Sequence, residues 1–178
     1  MDNMSSQDNV IGHVNTSLVI PAFRGSQEIV LNISKTKEAE DRLIEAKMVN
    51  PSTYAELEHT YGESYRELKN NLAIIGHQIV KAEKELKMIK AVLLLDRYPD
   101  FMKDKPKSHD NSDMREAFFM KDLEYQEALD RINMLKAMEA FTEGKIKVME
   151  NVSRWMRKQM DLVLRSGINP NLYVTIKE

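Results

Sequence analysis

"YGESYRELKNNLAIIGHQIVKAEKELKMIKAVL", residues 61–93, decides the fold. Apolar residues return every seventh position at Tyr61, Leu68, Ile75, Ala82 and Ile89, interleaved with Tyr65, Leu72, Ile79, Leu86 and Leu93. That is an alternation of three and four sustained over five heptads, the mark of a helix lying along another helix. Thr53, followed three residues later by Glu56, has the pattern of a capping box, so the helix is expected over 53–96. Gly62 and Gly76 fall inside it, each costing about 1 kcal/mol relative to alanine. They permit either close packing or a bend.

Such a helix needs a partner, and the sequence downstream supplies one. "DRYPDFMKDKPKSHDNSD", residues 96–113, interrupts the pattern with two prolines and a cluster of Asp, Asn and Ser, which predicts a loop from Tyr98 to Asn111. Helix is expected to resume over 113–165, capped by Ser112 or Asp113, with Glu116 in its first turn and Gly167 closing its C-terminus. Its apolar series is Phe118, Tyr125, Leu129 and Ile132, then Met134, Phe141, Val148, Trp155 and Leu162 at intervals of seven, with Met138 and Val152 between. Gly144 allows a break or kink. Leu135, Met149, Met156 and Val163 widen the stripe beyond what one partner helix covers, which predicts a homo-oligomer.

The chain ends read differently. "SLVIPAF" and "EIVLNI" are two short strands around the turn "RGSQ", with Pro21 suited to an edge. A short helix is expected from Lys37 to Met48, ended by Asn50-Pro51 because the residue before proline avoids the α region. The terminal "NLYVTIKE" alternates with period two and reads as a half-buried strand. The expected fold is therefore mainly α: a long antiparallel, coiled-coil-like helical hairpin with small β segments near both termini. Residues 1–33 form an arm and residues 34–178 the hairpin domain with its C-terminal strand.

Composition narrows the function. The 178 residues carry a net charge of −2 and no cysteine, excluding disulfides, thiolate zinc sites and cysteine nucleophiles. No apolar run approaches the roughly 20 residues that cross a bilayer, and "MDNMSSQDNVIGHVN" lacks the basic start and apolar core of a signal peptide. No membrane association and a cytoplasmic location are expected. There is no phosphate-binding GxxxxGK[ST] loop and no dinucleotide fingerprint. His13, His59, His77 and His109 are scattered, and the one pair His59/Glu63 is not a metal site. The chain is expected to be no enzyme and to need no cofactor or metal.

Charge is unevenly spread. Residues 36–67 hold eight acids against four bases, whereas Lys145 to Arg165 hold six bases against Glu150 and Asp161. Lys81, Lys84, Lys87 and Lys90 recur every three residues, while Lys81–Glu85 and Glu83–Lys87 have the spacing of a solvated coiled-coil flank. Lys147, Arg154, Lys158 and Arg165 form a stripe beside Val148, Trp155 and Leu162. Trp155 at core spacing reads first as packing and second as a base-stacking platform. In the loop, Arg97, Lys103, Lys105 and Lys107 are interleaved with Tyr98 and Phe101, a composition suited to single-stranded nucleic acid.

One further pattern points the same way. "KAEKELKMIKAVLLLDRY", a charged loop, "SDMREAFFMKDLEYQEAL" and "WMRKQMDLVLRSG" follow one another between Asn71 and Gly167. Over about residues 71–165 this succession resembles the UvsY recombination mediators of tailed phages, most closely at Ser112-Asp113-Met114-Arg115 and at Asp122. The resemblance implies a small, oligomeric, non-catalytic protein in the bacterial host cell. It would bind single-stranded DNA and help load a strand-exchange recombinase onto strands covered by a single-strand-binding protein. In the family, basic residues late in the first helix contact DNA; the matching positions here are Lys84, Lys87 and Lys90, with Lys87-x-x-Lys90 where the family has Lys-x-Arg. The competing expectation is a structural coiled-coil protein, such as a phage virion or assembly component.

Overall fold

The structure, a computed structural model, describes residues 16–46, 49–106 and 109–165. Of these, 79% are helical. The chain divides into two compact units, one of residues 1–68 with 148–178 and the other of residues 69–147.

In the first unit, β1 (Ser17–Ile20) and β2 (Ile29–Asn32) pair antiparallel, Ser17 opposite Asn32 and Ile20 opposite Ile29. Ile20 and Leu31 are buried while Val19 and Val30 face outward, the alternation that a half-buried ribbon requires. Pro21, which has no amide hydrogen to donate, follows the last residue of β1. The connection turns through two left-handed residues, Arg24 (φ 45°) and Gly25 (φ 81°). α1 follows at Ser34–Glu45, three residues ahead of the expected start. Its first turn is held by a side chain from another helix: Glu67 accepts from the Thr36 amide at 3.2 Å and from the Thr36 hydroxyl at 3.4 Å. A carboxylate at a helix N-terminus meets unpaired N–H groups and the positive end of the dipole. Ser64 donates to the Thr36 hydroxyl at 3.1 Å, completing a buried polar contact under α1.

α2 runs from Pro51 to Val92. Its cap is Asn50, not Thr53. The Asn50 carboxamide oxygen accepts from the amides of Ser52 (2.9 Å) and Thr53 (3.1 Å), and the Thr53 hydroxyl accepts from the Asn50 amide at 3.1 Å. The reciprocal box therefore joins residues 50 and 53, because Pro51, lacking an N–H and fixed in φ, fits the first helical position. Helical backbone also continues further than expected. A π turn over Leu93–Arg97 leads into α3, Tyr98–Met102, so the connecting loop starts at Lys103. Pro99 sits in the first turn of α3, where its missing donor costs nothing.

α4 spans Ser112–Phe119 and is capped by Asn111, whose side chain accepts from the Met114 amide at 2.9 Å. The second helix is not continuous from 113, as its pattern suggested. It breaks at Met120–Asp122, and α5 (Leu123–Arg165) begins afresh with the Asp122 carboxylate accepting from the Tyr125 amide at 3.1 Å. No break occurs at Gly144. The expected cap at Gly167, the terminal strand and the far end of the helix expected to reach Met48 lie outside the described residues.

α2 packs on α5. On α2 the row Tyr61, Leu68, Ile75, Ala82 and Ile89 is buried throughout. The interleaved row shifts by one residue in its early part: Ser64 and Asn71 are buried where Tyr65 and Leu72 stay half-exposed, before Ile79 and Leu93 resume the expected positions. Two consecutive steps of four, Asn71 to Ile75 to Ile79, absorb the difference between a 3.6-residue turn and a strict heptad. On α5 Tyr125 and Ile132 are buried as expected, but from Met134 onward the expected row is wrong by one residue, and Leu135, Met149 and Met156, expected to lie beyond the reach of one partner helix, are in the core. Tyr125, Ala128, Ile132, Leu135, Ile146, Met149 and Met156 are buried, with Thr142 among them, while Phe141, Val148, Trp155 and Leu162 face solvent. Ala128, Leu135, Thr142, Met149 and Met156 are themselves spaced by seven. Both rows satisfy the period, and only the shape of the partner face chooses between them.

Candidate nucleic-acid interface

In the 69–147 unit, the cations expected to bind a polyanion separate into two groups. Lys84 and Lys87 project from α2 into solvent and enter no ion pair among the described residues. Lys103 is also exposed. The others are committed to structure. Lys90 Nζ lies 3.7 Å from Glu116 and 5.2 Å from the ring centroids of both Phe119 and Tyr125. Arg97 pairs with Asp122 at 2.6 Å, and Lys105 sits over the Phe101 ring at 2.9 Å. Lys107 lies outside the described residues.

The loop aromatics are likewise unavailable for stacking on bases. Tyr98 is buried, edge-on to Phe118 at 5.2 Å, and Phe101 meets the same ring at 4.9 Å. The Tyr98 hydroxyl donates to Asp110 at 2.8 Å, and Asp110 also accepts from Arg115 Nε at 2.8 Å. The Arg115 bond, then the Tyr98 bond, holds the Asp110 carboxyl below its ordinary range. Burial, then the bond to Asp110, pushes the Tyr98 hydroxyl above its own. Five aromatic rings and the cations around them thus form the small core that closes the helical turn. Of the described loop cations, Lys105 packs over a ring, that of Phe101.

In the other unit, α5 presents a different surface. Trp155 is 45% exposed, and its neighbours one turn away, Asn151 and Gln159, are polar. Val148 and Leu162, seven residues to either side, share its face and are also exposed. Arg154 and Lys158 flank this row and enter no ion pair among the described residues. Arg157, on a different side of the helix, is spent on Glu58 at 3.5 Å. Sequence reasoning placed Trp155 in the core; Asn151 on its face was the signal to the contrary, since an amide there would be buried without need.

The acid-rich stretch between residues 36 and 67 supplies Glu58 to Arg157 but no ion-pair partner to Arg154 or Lys158. Glu38 pairs with Lys35 at 3.0 Å and Arg42 at 3.1 Å, Asp41 with Lys37 at 3.4 Å, and Glu63 with Arg66 at 2.7 Å. Glu56 pairs with Arg42, and Glu58 with Arg157. The Lys35 bond foremost holds the Glu38 carboxyl below its usual range. These pairs are mostly exposed and individually worth little. Among the described residues no helix is long and apolar enough to cross a membrane, and no cluster of acids and histidines could hold a metal ion.

No family model, curated protein or solved structure matches the chain. The likeness to the UvsY mediators rests on the residues quoted for it.

Proposed function

We propose that the protein is a non-catalytic, oligomeric single-stranded DNA-binding protein that acts as a recombination mediator, assisting a strand-exchange recombinase to load onto strands held by a single-strand-binding protein. The observation that carries this reading is the solvent-facing Trp155 between Arg154 and Lys158, an indole with unpaired cations beside it. Single strands are bound by backbone charge together with rings on which bases stack, each stack contributing about 1–3 kcal/mol. The exposed Lys84 and Lys87 offer a second contact, and an oligomer multiplies such weak patches into useful avidity.

The test is fluorescence anisotropy of a labelled oligonucleotide across a salt series. Wild type is expected to bind at about 50 mM salt, with a logarithmic slope near −0.7 per phosphate contact. Arg154→Ala/Lys158→Ala and Lys84→Ala/Lys87→Ala are each expected to flatten that slope, by up to roughly 1.4 for two lost contacts. Absence of wild-type binding at about 50 mM salt would defeat the reading. One observation favours a structural helical component instead: the aliphatic row Met88, Val92 and Leu95 on the outer side of α2 and the turn after it, exposed and without a ring for stacking. Stable oligomers that bind no DNA would establish that alternative. Pull-down against a phage strand-exchange recombinase tests the partner.

A further inference from the structure

Within the unit that carries Trp155, α2 and α5 leave a hollow of about 400 Å³. It is an open groove, with Glu58, Gly62, Glu150, Arg154 and Arg157 of its lining exposed. Two small residues, Gly62 of α2 and Ser153 of α5, contribute to its lining. Gly62 has no packing reason to be glycine: a Cβ there would meet nothing within 4 Å. An exposed mid-helix glycine costs about 1 kcal/mol against alanine and returns no contact inside the chain. Gly76 and Gly144 stand in the same open space, so what distinguishes Gly62 is its place in the lining of the hollow.

The remaining lining defines the chemistry. Arg154 reaches both this hollow and, as the residue before Trp155, the exposed face beside it. Tyr65 contributes a half-exposed ring and Glu150 an exposed carboxylate. Arg157 and Glu58 also line it but neutralise each other at 3.5 Å. A bare phosphate would find one available guanidinium beside a carboxylate, a poor anion site. A ligand with an anionic end, a flat ring and an outward amino group satisfies all three. That is a nucleotide whose base carries an exocyclic amine.

We infer that this hollow takes one nucleotide of a bound single strand, its phosphate on Arg154, its base along Tyr65, and its exocyclic amino group donating to Glu150. The inference rests on the DNA-binding reading and adds base preference to it. Cytosine presents an amino donor to the carboxylate where thymine presents a carbonyl oxygen, which repels it. Along the rest of the strand, stacking and backbone charge are indifferent to sequence.

The experiment compares fluorescein-labelled oligo(dC) and oligo(dT) of about twenty nucleotides, long enough to span a single-strand site. Wild type is expected to bind oligo(dC) about ten- to a hundredfold more tightly than oligo(dT), the effect of one charge-assisted hydrogen bond. Gly62→Met fills the hollow with a good helix former, so its melting temperature should hold or rise while the preference for oligo(dC) disappears. Glu150→Ala, at an exposed position, should abolish the preference independently, weakening oligo(dC) binding and relieving the repulsion of oligo(dT). Equal wild-type affinity for the two oligonucleotides, or a preference surviving both substitutions, overturns the hollow and leaves the DNA-binding reading standing. Failure of wild type to bind either one overturns both.

Discussion

Trp155 and Met156 are consecutive, about 100° apart around α5, and the structure assigns them opposite fates: 45% exposed against 1%. Truncating each to alanine therefore tests which row of α5 is the core. Met156→Ala removes a thioether chain from a closed environment, losing its transfer free energy and leaving a cavity, at a cost of about 2–5 kcal/mol. Trp155→Ala would cost about 3–5 kcal/mol if the indole were enclosed. Nearly half of it is already in water, no closed cavity is left, and alanine is the better helix former by a few tenths of a kcal/mol. The expected loss is about 1 kcal/mol or less, within reach of an ordinary surface change. Urea unfolding followed by circular dichroism at 222 nm is the assay, since the tryptophan variant has no indole to report. With a slope of about 2 kcal/mol per molar, Met156→Ala should lower the midpoint by about 1–2.5 M and Trp155→Ala by no more than about 0.5 M. A Trp155→Ala loss equal to or larger than that of Met156→Ala would refute the register of α5 described above.

Other outcomes follow from single contacts. Asn50→Ala removes the side chain that starts α2 and should cost about 0.5–2 kcal/mol in the same assay. Gly76→Ala adds a methyl where nothing lies within 4 Å, so it should stabilise by about 0.5–1 kcal/mol; destabilisation would reveal a packing need the structure does not contain. Burial, with a smaller push from Glu40, raises the Tyr61 hydroxyl from 10.0 to about 12. A raised folded-state value means the contribution is complete below pH 10 and lost as pH climbs from 10 through about 12. Tyr61→Phe should flatten the alkaline limb of a stability–pH curve over that window, and an unchanged limb would place the cause elsewhere.

Sequence alone determined what depends on local period and local backbone chemistry. The row from Tyr61 to Ile89 is buried as its spacing required, and the ribbon of Ile20 and Leu31 alternates as its letters do. Helix extent was legible wherever a proline or a cap stood in the line, although Asn50 and Asn111 each displaced a neighbouring candidate as the capping residue. Tertiary structure decided everything in which two local answers were equally good. Ala128, Leu135, Thr142, Met149 and Met156 share their period with the row of Trp155, and a helix turned by one residue satisfies either. The surface of α2 selects the smaller set, leaving the aromatic row to solvent. The cations were ambiguous for the same reason. Nothing near Lys90 or Arg97 in the sequence announces Glu116 or Asp122, which only the folded turn brings to 3.7 Å and 2.6 Å. Periodicity reports that a residue has a side; which side meets protein, and which charge meets its opposite, depends on elements distant in the chain.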